Sequence, residues 1–255
     1  MDHMRPLFDQ SGTTLPVVRV LRILMLGAAM AMPAAHADVI DFENIGNGLV
    51  GDSEQFQDAG YLFGGASNVP GANPGDLVGA VIDGSDPGSC GGALACPVNN
   101  PGNYYAALND GILFMGAASN SDFSIESFDA SFIGTGAPYG SVAGLLRVQG
   151  FMAAGGSLFQ DYLLAAPDSA GFAFQHFTST GAFAAGSFTE VAFFGFTCNT
   201  TGSCTAFNSN QGQFALDNIT AAVPEPSSAL MLLLGLAGIG PISRRRGHAP
   251  LRKPS

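Results

Sequence analysis

The sequence predicts an all-β protein: a two-sheet antiparallel β-sandwich of jelly-roll type, flanked by two apolar helices. Three observations predict it. Short runs rich in Phe, Val, Ile and Tyr recur through the middle of the chain, as half-buried strands require. Gly, Asn and Pro interrupt these runs about every ten residues, the spacing of strands in a sandwich. Glu, Lys, Arg and Gln, which fill the surfaces of helices, are scarce there.

The runs predict strands at 39–43, 60–63, 77–82, 104–108, 112–115, 123–133, 141–151, 157–164, 172–177, 187–196 and 213–220. The clearest alternation puts Ser124, Glu126, Phe128, Ala130 and Phe132 on one face, with Ile125, Ser127, Asp129, Ser131 and Ile133 on the other. No repeat of fixed period is present. The stretch 38–222 is long enough to bury one core and too apolar to stay disordered.

Charge divides the chain. Of its 20 acidic residues, all but Asp2, Asp9 and Glu225 lie between Asp38 and Ala222, against a single basic residue, Arg147. That middle carries a formal charge of −16 by direct count. Such a surface repels phosphate backbones, so nucleic acid is not a partner. Cys90 and Cys96 form one local pair, Cys198 and Cys204 another. In an exported chain two small-loop disulfides are the expected reading, each pinning a loop. A metal site is the rival, but no His lies near either pair.

The ends read as addresses. Arg19 and Arg22 precede the apolar run 23–32, Pro33 breaks it, and Ala35-His36-Ala37 supplies the small–x–small exit that signal peptidase accepts. Cleavage after Ala37 is expected. Near the other end, Pro224-Glu225-Pro226 precedes an apolar stretch, 227–242, and then Arg244-Arg245-Arg246. That stretch is somewhat short of the ~20 residues that span a bilayer comfortably. Basic residues beyond it place the C-terminal side in the cytoplasm.

Pro224, Glu225, Pro226, the apolar helix and the Arg244–Arg246 cluster together resemble the PEP-CTERM sorting tail. The resemblance implies an exosortase that reads the tail, an inner-membrane stage through residues 227–242, and a Gram-negative host that makes exopolysaccharide. Pro241 inside the helix and residues 247–255 beyond the basic stop depart from the pattern. The expected organisation is then a signal peptide with its extension at 1–37, an extracytoplasmic domain at 38–222, a sorting signal at 223–247 and a short cytoplasmic tail at 248–255.

The middle resembles the jelly-roll domains of such proteins, themselves similar to carbohydrate-binding modules. The resemblance rests on Ile40-Asp41-Phe42-Glu43, on Arg147-Val148-Gln149-Gly150-Phe151 followed by Gly155-Gly156, and on Phe214-Ala215-Leu216-Asp217-Asn218-Ile219. Asp41 and Glu43, two apart, share a face of a strand. Asp217 sits in the last strand, which in a jelly roll often neighbours the first. Three hard oxygen ligands there would suit Ca²⁺, and the resemblance to carbohydrate-binding modules implies such a structural calcium. The alternative is three solvated acids on a highly acidic surface. Asp76, Asp83 and Asp86 form a second, weaker cluster.

His176, the one histidine of this stretch, shares a predicted strand face with Phe172 and Phe174 and reads as a core or edge residue. No GxSxG elbow accompanies it. Tyr61, Tyr104, Tyr105 and Tyr139 could stack on sugars, although burial is their expected state. No catalytic residue is singled out. The functional expectation is a non-enzymatic surface or matrix protein, handled by signal peptidase and exosortase and in contact with exopolysaccharide. The alternative is a carbohydrate- or ligand-binding module, and a secreted hydrolase ranks third.

Overall fold

The last strand, β14 (Phe214–Ala222), organises the first of two sheets. The computed structural model describes residues 37–86, 88–136 and 138–223. The predicted signal peptide up to residue 36, the Pro224-Glu225-Pro226 motif, the apolar stretch and the arginine cluster lie outside them; of the predicted cleavage-site pair, Ala35 lies outside and Ala37 opens the first strand. Among the described residues no helix is long and apolar enough to cross a membrane. The unit that holds both sheets runs from Ala35 to Pro224.

The described residues form fourteen strands: β1 (Ala37–Ile40), β2 (Gly48–Gly51), β3 (Gln55–Asp58), β4 (Tyr61–Ser67), β5 (Leu77–Asp83), β6 (Asn103–Ala107), β7 (Gly111–Ala117), β8 (Ser124–Phe132), β9 (Val142–Phe151), β10 (Ser157–Ala165), β11 (Gln175–Thr178), β12 (Glu190–Cys198), β13 (Cys204–Thr205) and β14. They form two seven-stranded sheets. Sheet A has the order β11-β8-β14-β6-β5-β2. One flank of β14 pairs with β8, and the other is shared by β6 and then β1. Sheet B has the order β10-β9-β12-β7-β4-β3, with β13 folded back on β12. Every strand pairing is antiparallel, and the chain crosses repeatedly between sheets, as in a jelly roll. Among the described residues the one helical turn is Gly181–Ala184.

The predicted strands appear with ends shifted by a few residues. β2, β3 and the two-residue β13 are not among the predicted strands: β2 and β3 are four residues each, bounded by Gly or acids, and all three are too short to show a period. Alternation in β8 is also imperfect. Glu126 is an extra residue opposite β14, so Ile125 and Phe128 both reach the core. Asn218 is the matching irregularity in β14 and takes a left-handed φ of 49°.

Between the sheets lies an aromatic core. Phe42, Phe63 and Tyr105 pack near one end, and Phe128, Tyr162 and Phe193 near another. Tyr61, Tyr104 and Tyr105 are at most 1% exposed, and burial pushes the Tyr61 and Tyr104 hydroxyls up to about 12. They are structural rings, not a platform for sugars. Tyr139 packs on Phe132 and Phe172.

Gly150 on β9 faces inward, where a Cβ would overlap the buried Phe188 ring. We expect Gly150→Val to cost about 2 kcal/mol through overpacking. Urea unfolding checks it, and an unchanged midpoint would show that Phe188 has room to move.

Candidate functional site

Sheet A does not present a bare outer face. Ala80, Ile82, Tyr104, Ala106, Leu108, Ile133 and Ala215 form a second apolar cluster there. It is covered by the β5–β6 loop, which packs Leu94 and Cys96 on it, and by Phe174, whose ring meets Tyr104 edge-on. The Cys90–Cys96 disulfide closes this loop, and Cys198–Cys204 joins β12 to β13. Replacing Cys90 and Cys96 by Ser is expected to lower stability by about 2 kcal/mol. Protease nicking should then fall within the loop and leave the sheets intact, whereas global unfolding would contradict this local role.

Asp217 lies on the same outer face, beside Ala215, and is only 4% exposed. Strand register sets His176 of β11, Asp129 of β8 and Asp217 of β14 in a row. His176 Nδ1 is 2.8 Å from Asp129 Oδ1. Asn218 Nδ2 donates to Asp129 Oδ2 at 2.9 Å and more weakly to Asp217 Oδ2 at 3.4 Å. Asn100, from the covering loop, donates from Nδ2 to Asp217 Oδ2 at 2.6 Å, and the Asn218 N–H donates to Oδ1 at 2.8 Å. Burial pushes the Asp217 carboxyl up to about 7. The two hydrogen bonds oppose the rise, and the charges of Asp129 and Asp41 add to it.

The calcium candidates are placed differently from the strand argument. β1 does pair with β14, with Ile40 opposite Ile219. β1 ends there, however, so Asp41 and Glu43 stand in the turn that follows and share no strand face. Phe42 takes a φ of 56°, and its N–H donates to buried Asp58. Asp41 accepts the Glu43 N–H, while Glu43 Oε1 turns to the Asn103 N–H at 2.9 Å. Asp41 is therefore close enough to act on Asp217 electrostatically, and Glu43 serves the neighbouring loop. Among the described residues no group of three or more His, Cys, Asp or Glu is arranged to hold a metal. Amide N–H groups of Asn100 and Asn218 now satisfy the carboxylates that a cation would contact.

The second acidic cluster separates. Asp76 precedes β5 and Asp83 ends it, on the order of 20 Å apart at ~3.3 Å per residue. Asp83 accepts both the N–H and the hydroxyl of Ser85, which hold its carboxyl below the usual carboxylate range, and Asp86 caps the Gly88 N–H. His176 is an exposed edge residue. Phe172 turns to the core and Phe174 to the outer cluster.

Two residues that shape this region are not singled out by the sequence. Asp129 falls on the predicted strand face opposite Phe128, and its neighbours there depend on register. Asp110, 1% exposed, accepts backbone N–H groups of Ser209, Asn210 and Gly212 and so fixes the loop that enters β14. The paired left-handed residues Asn109 and Asp110, with φ of 55° and 58°, were the only local signal. At one end of the sandwich an open cleft of about 380 Å³ is lined by Ser67, Pro70, Asp76, Asn109 and Asn210 among others.

Residues 222–247 match the PEP-CTERM protein-sorting motif, beginning at the last residue of β14. The chain thus carries an exosortase sorting tail directly after an all-β sandwich. No curated protein sequence matches it. Among solved structures, TmCBM61 in complex with beta-1,4-galactotriose is similar at a TM-score of 0.29 and 6% identity, covering 64% of this chain and 88% of that one. A Family 16 Carbohydrate Binding Module-2 gives 0.26 and 15%, covering 56% and 84%. The N-terminal CBM22-1-CBM22-2 tandem domain from Paenibacillus barcinonensis Xyn10C gives 0.25 and 9%, covering 77% and 48%. At TM-scores this low the fold assignment rests on the strand pairing above.

Proposed function

We propose that this chain is an exported surface or matrix protein of a Gram-negative bacterium, sorted by an exosortase, whose β-sandwich acts without catalysis. The observation that carries the reading is the sorting motif at 222–247, immediately after the strand that completes sheet A. Two disulfides support an oxidising destination. Buried Asp58, Asp110 and Asp217 are engaged with backbone or amide N–H groups, which is structural work. Export begins with cleavage after Ala37, the residue that opens β1. The apolar stretch 227–242 holds the protein in the inner membrane until exosortase acts, after which exopolysaccharide is its surroundings.

Fusing residues 223–255 to an exported reporter tests the reading. The reporter should fractionate with the membrane in cells without exosortase and be released when the enzyme is supplied. Release in both strains, or in neither, would overturn it. Ending the chain at Ala222 should leave the unfolding temperature of the sandwich unchanged.

A second reading, a glycan-binding module, has the open cleft at Asp76, Asn109 and Asn210 in its favour, since amides and a carboxylate are the groups that grip sugar hydroxyls. A glycan array separates the two. Calcium belongs to either reading. Asp41, Asp129 and Asp217 would supply carboxylates, and Asn100 and Asn218 would have to turn amide oxygens toward the ion in place of the N–H groups they now present.

A further inference from the structure

The two sheets treat their outer faces differently. Sheet A is covered by the disulfide-closed loop. On sheet B, nothing among the described residues performs that service for β10 and β9, and on β12 only Phe207 packs over Phe194. Strand register sets Leu163, Leu145 and Phe196 in one row across these strands, with Asp161, Arg147 and Phe194 in the next. Phe159 and Leu163 are 57% and 59% exposed. Contiguous exposed apolar area of this kind marks an interaction surface.

Charge narrows the occupant. In a domain of −16, the outward positions of sheet B carry two acids, Asp161 and Glu190 at the margin. Asp161 is neutralised by Arg147 at 2.7 and 2.8 Å. The repulsion that keeps copies of this protein apart is therefore weakest at this face.

Most of the polar groups are paired within the face, and Arg147 keeps Nη1 for a further partner. Arg147 spends Nε and Nη2 on Asp161 and lies 4.1 Å from the Phe159 ring centre. Gln149 donates to Ser157 at 3.0 Å. A glycan needs unengaged groups for its hydroxyls. A protein surface needs apolar area whose polar groups are paired, which is what this face offers.

We propose that the outer face of sheet B is a self-association surface on which a second copy of this chain stacks face to face. Arg147 is the only cation in the sandwich. A two-fold axis through the face centre sets the two Arg147–Asp161 pairs antiparallel, so each guanidinium meets the carboxylate of the other copy, and the contact is self-complementary. Continued over β7 and β4, the five strands β10, β9, β12, β7 and β4 at ~4.8 Å and seven residues at ~3.3 Å give a face of roughly 24 by 23 Å, about 550 Å² in plan, toward the small end of the interfaces that bury ~800 Å² per partner.

Sedimentation equilibrium of the full chain in density-matched detergent tests the proposal. Wild type should dimerise, and Phe159→Asp and Leu163→Asp should each weaken association about tenfold or more. Both sites are exposed, so the variants should keep wild-type circular dichroism. The double charge exchange Arg147→Asp with Asp161→Arg should dimerise with itself yet exclude wild type, because like charges then face each other across the axis. A monomeric wild type overturns the proposal. So does dimerisation that persists undiminished in the Asp variants, which would place association in the tail, or free mixing of the exchanged chain with wild type. Capture of a neutral polysaccharide through Phe159 by a monomer would assign the face to glycan instead.

Discussion

Replacing Asp110 by Ala is expected to cost about 4 kcal/mol or more, a large share of the stability of a domain this size. Its carboxylate is buried and accepts three backbone N–H groups from the loop that leads into β14. Truncation removes three charge-assisted hydrogen bonds and leaves those donors facing a cavity, each at about 1–3 kcal/mol. Water entering the gap would recover part of the loss, which is why the expected total falls below the sum. Asp110→Asn retains one acceptor oxygen and should lose about half as much. Urea unfolding of the three proteins reads the effect directly. A loss under 1 kcal/mol for the Ala variant would show that the loop holds itself. Because β14 also carries Asp217, a large loss should be accompanied by exposure of that carboxyl.

The second large effect is a dependence of stability on pH. The folded protein holds the Asp217 proton up to about pH 7, whereas the unfolded chain releases it near the usual value of about 4. Between these values the folded state binds more protons, so stability falls as pH rises. The Asp217 contribution is fully present below about pH 4, is lost progressively toward pH 7 and is level above it. Its size is on the order of 3 kcal/mol. Other acids titrate in the same acid range, so the useful quantity is the difference between wild type and Asp217→Asn. Asn cannot ionise, and its curve should be flatter from pH 5 to 8 and lie above wild type at pH 8. Parallel curves would mean that Asp217 is better solvated than its burial implies. Calcium added at pH 8 gives a further arm. A rise in wild-type unfolding temperature that Asp217→Asn lacks would support a cation at this row, because an ion bound to the carboxylate replaces the proton.

How far the candidate site could be read from sequence follows from its residues. Asp41, Glu43 and Asp217 were selected as acids in the first and last strands, and β1 does pair with β14. A shared face for the three acids requires the first strand to run unbroken through Glu43. β1 stops at Ile40, and the left-handed Phe42 sends Glu43 to Asn103 instead of toward Asp217. Asp129 and Asn100 entered the site from β8 and from a loop more than a hundred residues before β14 in sequence. Nothing local marks them, because alternation tells that a residue faces out and not which residue stands beside it. The displacement at Asn218 and Glu126 also shifts which side chains point inward, and such bulges leave little trace in composition.

The sequence by itself determined the strand content, through apolar alternation broken by Gly, Asn and Pro. It determined both cysteine pairings, since each pair is six residues apart and tethered in one turn-rich loop. It also determined the sorting tail, because a Pro-bounded apolar run with a basic stop acts through its own composition. These are local properties of short segments. Tertiary structure alone decided which strands neighbour, that sheet A is roofed by its disulfide loop while no described residue roofs β9 and β10 of sheet B, and that Asp217 is buried beside Asn100. Those outcomes depend on pairing between residues far apart in the chain. Loop closure sets that pairing and competing burial selects it, and neither is encoded in any single segment.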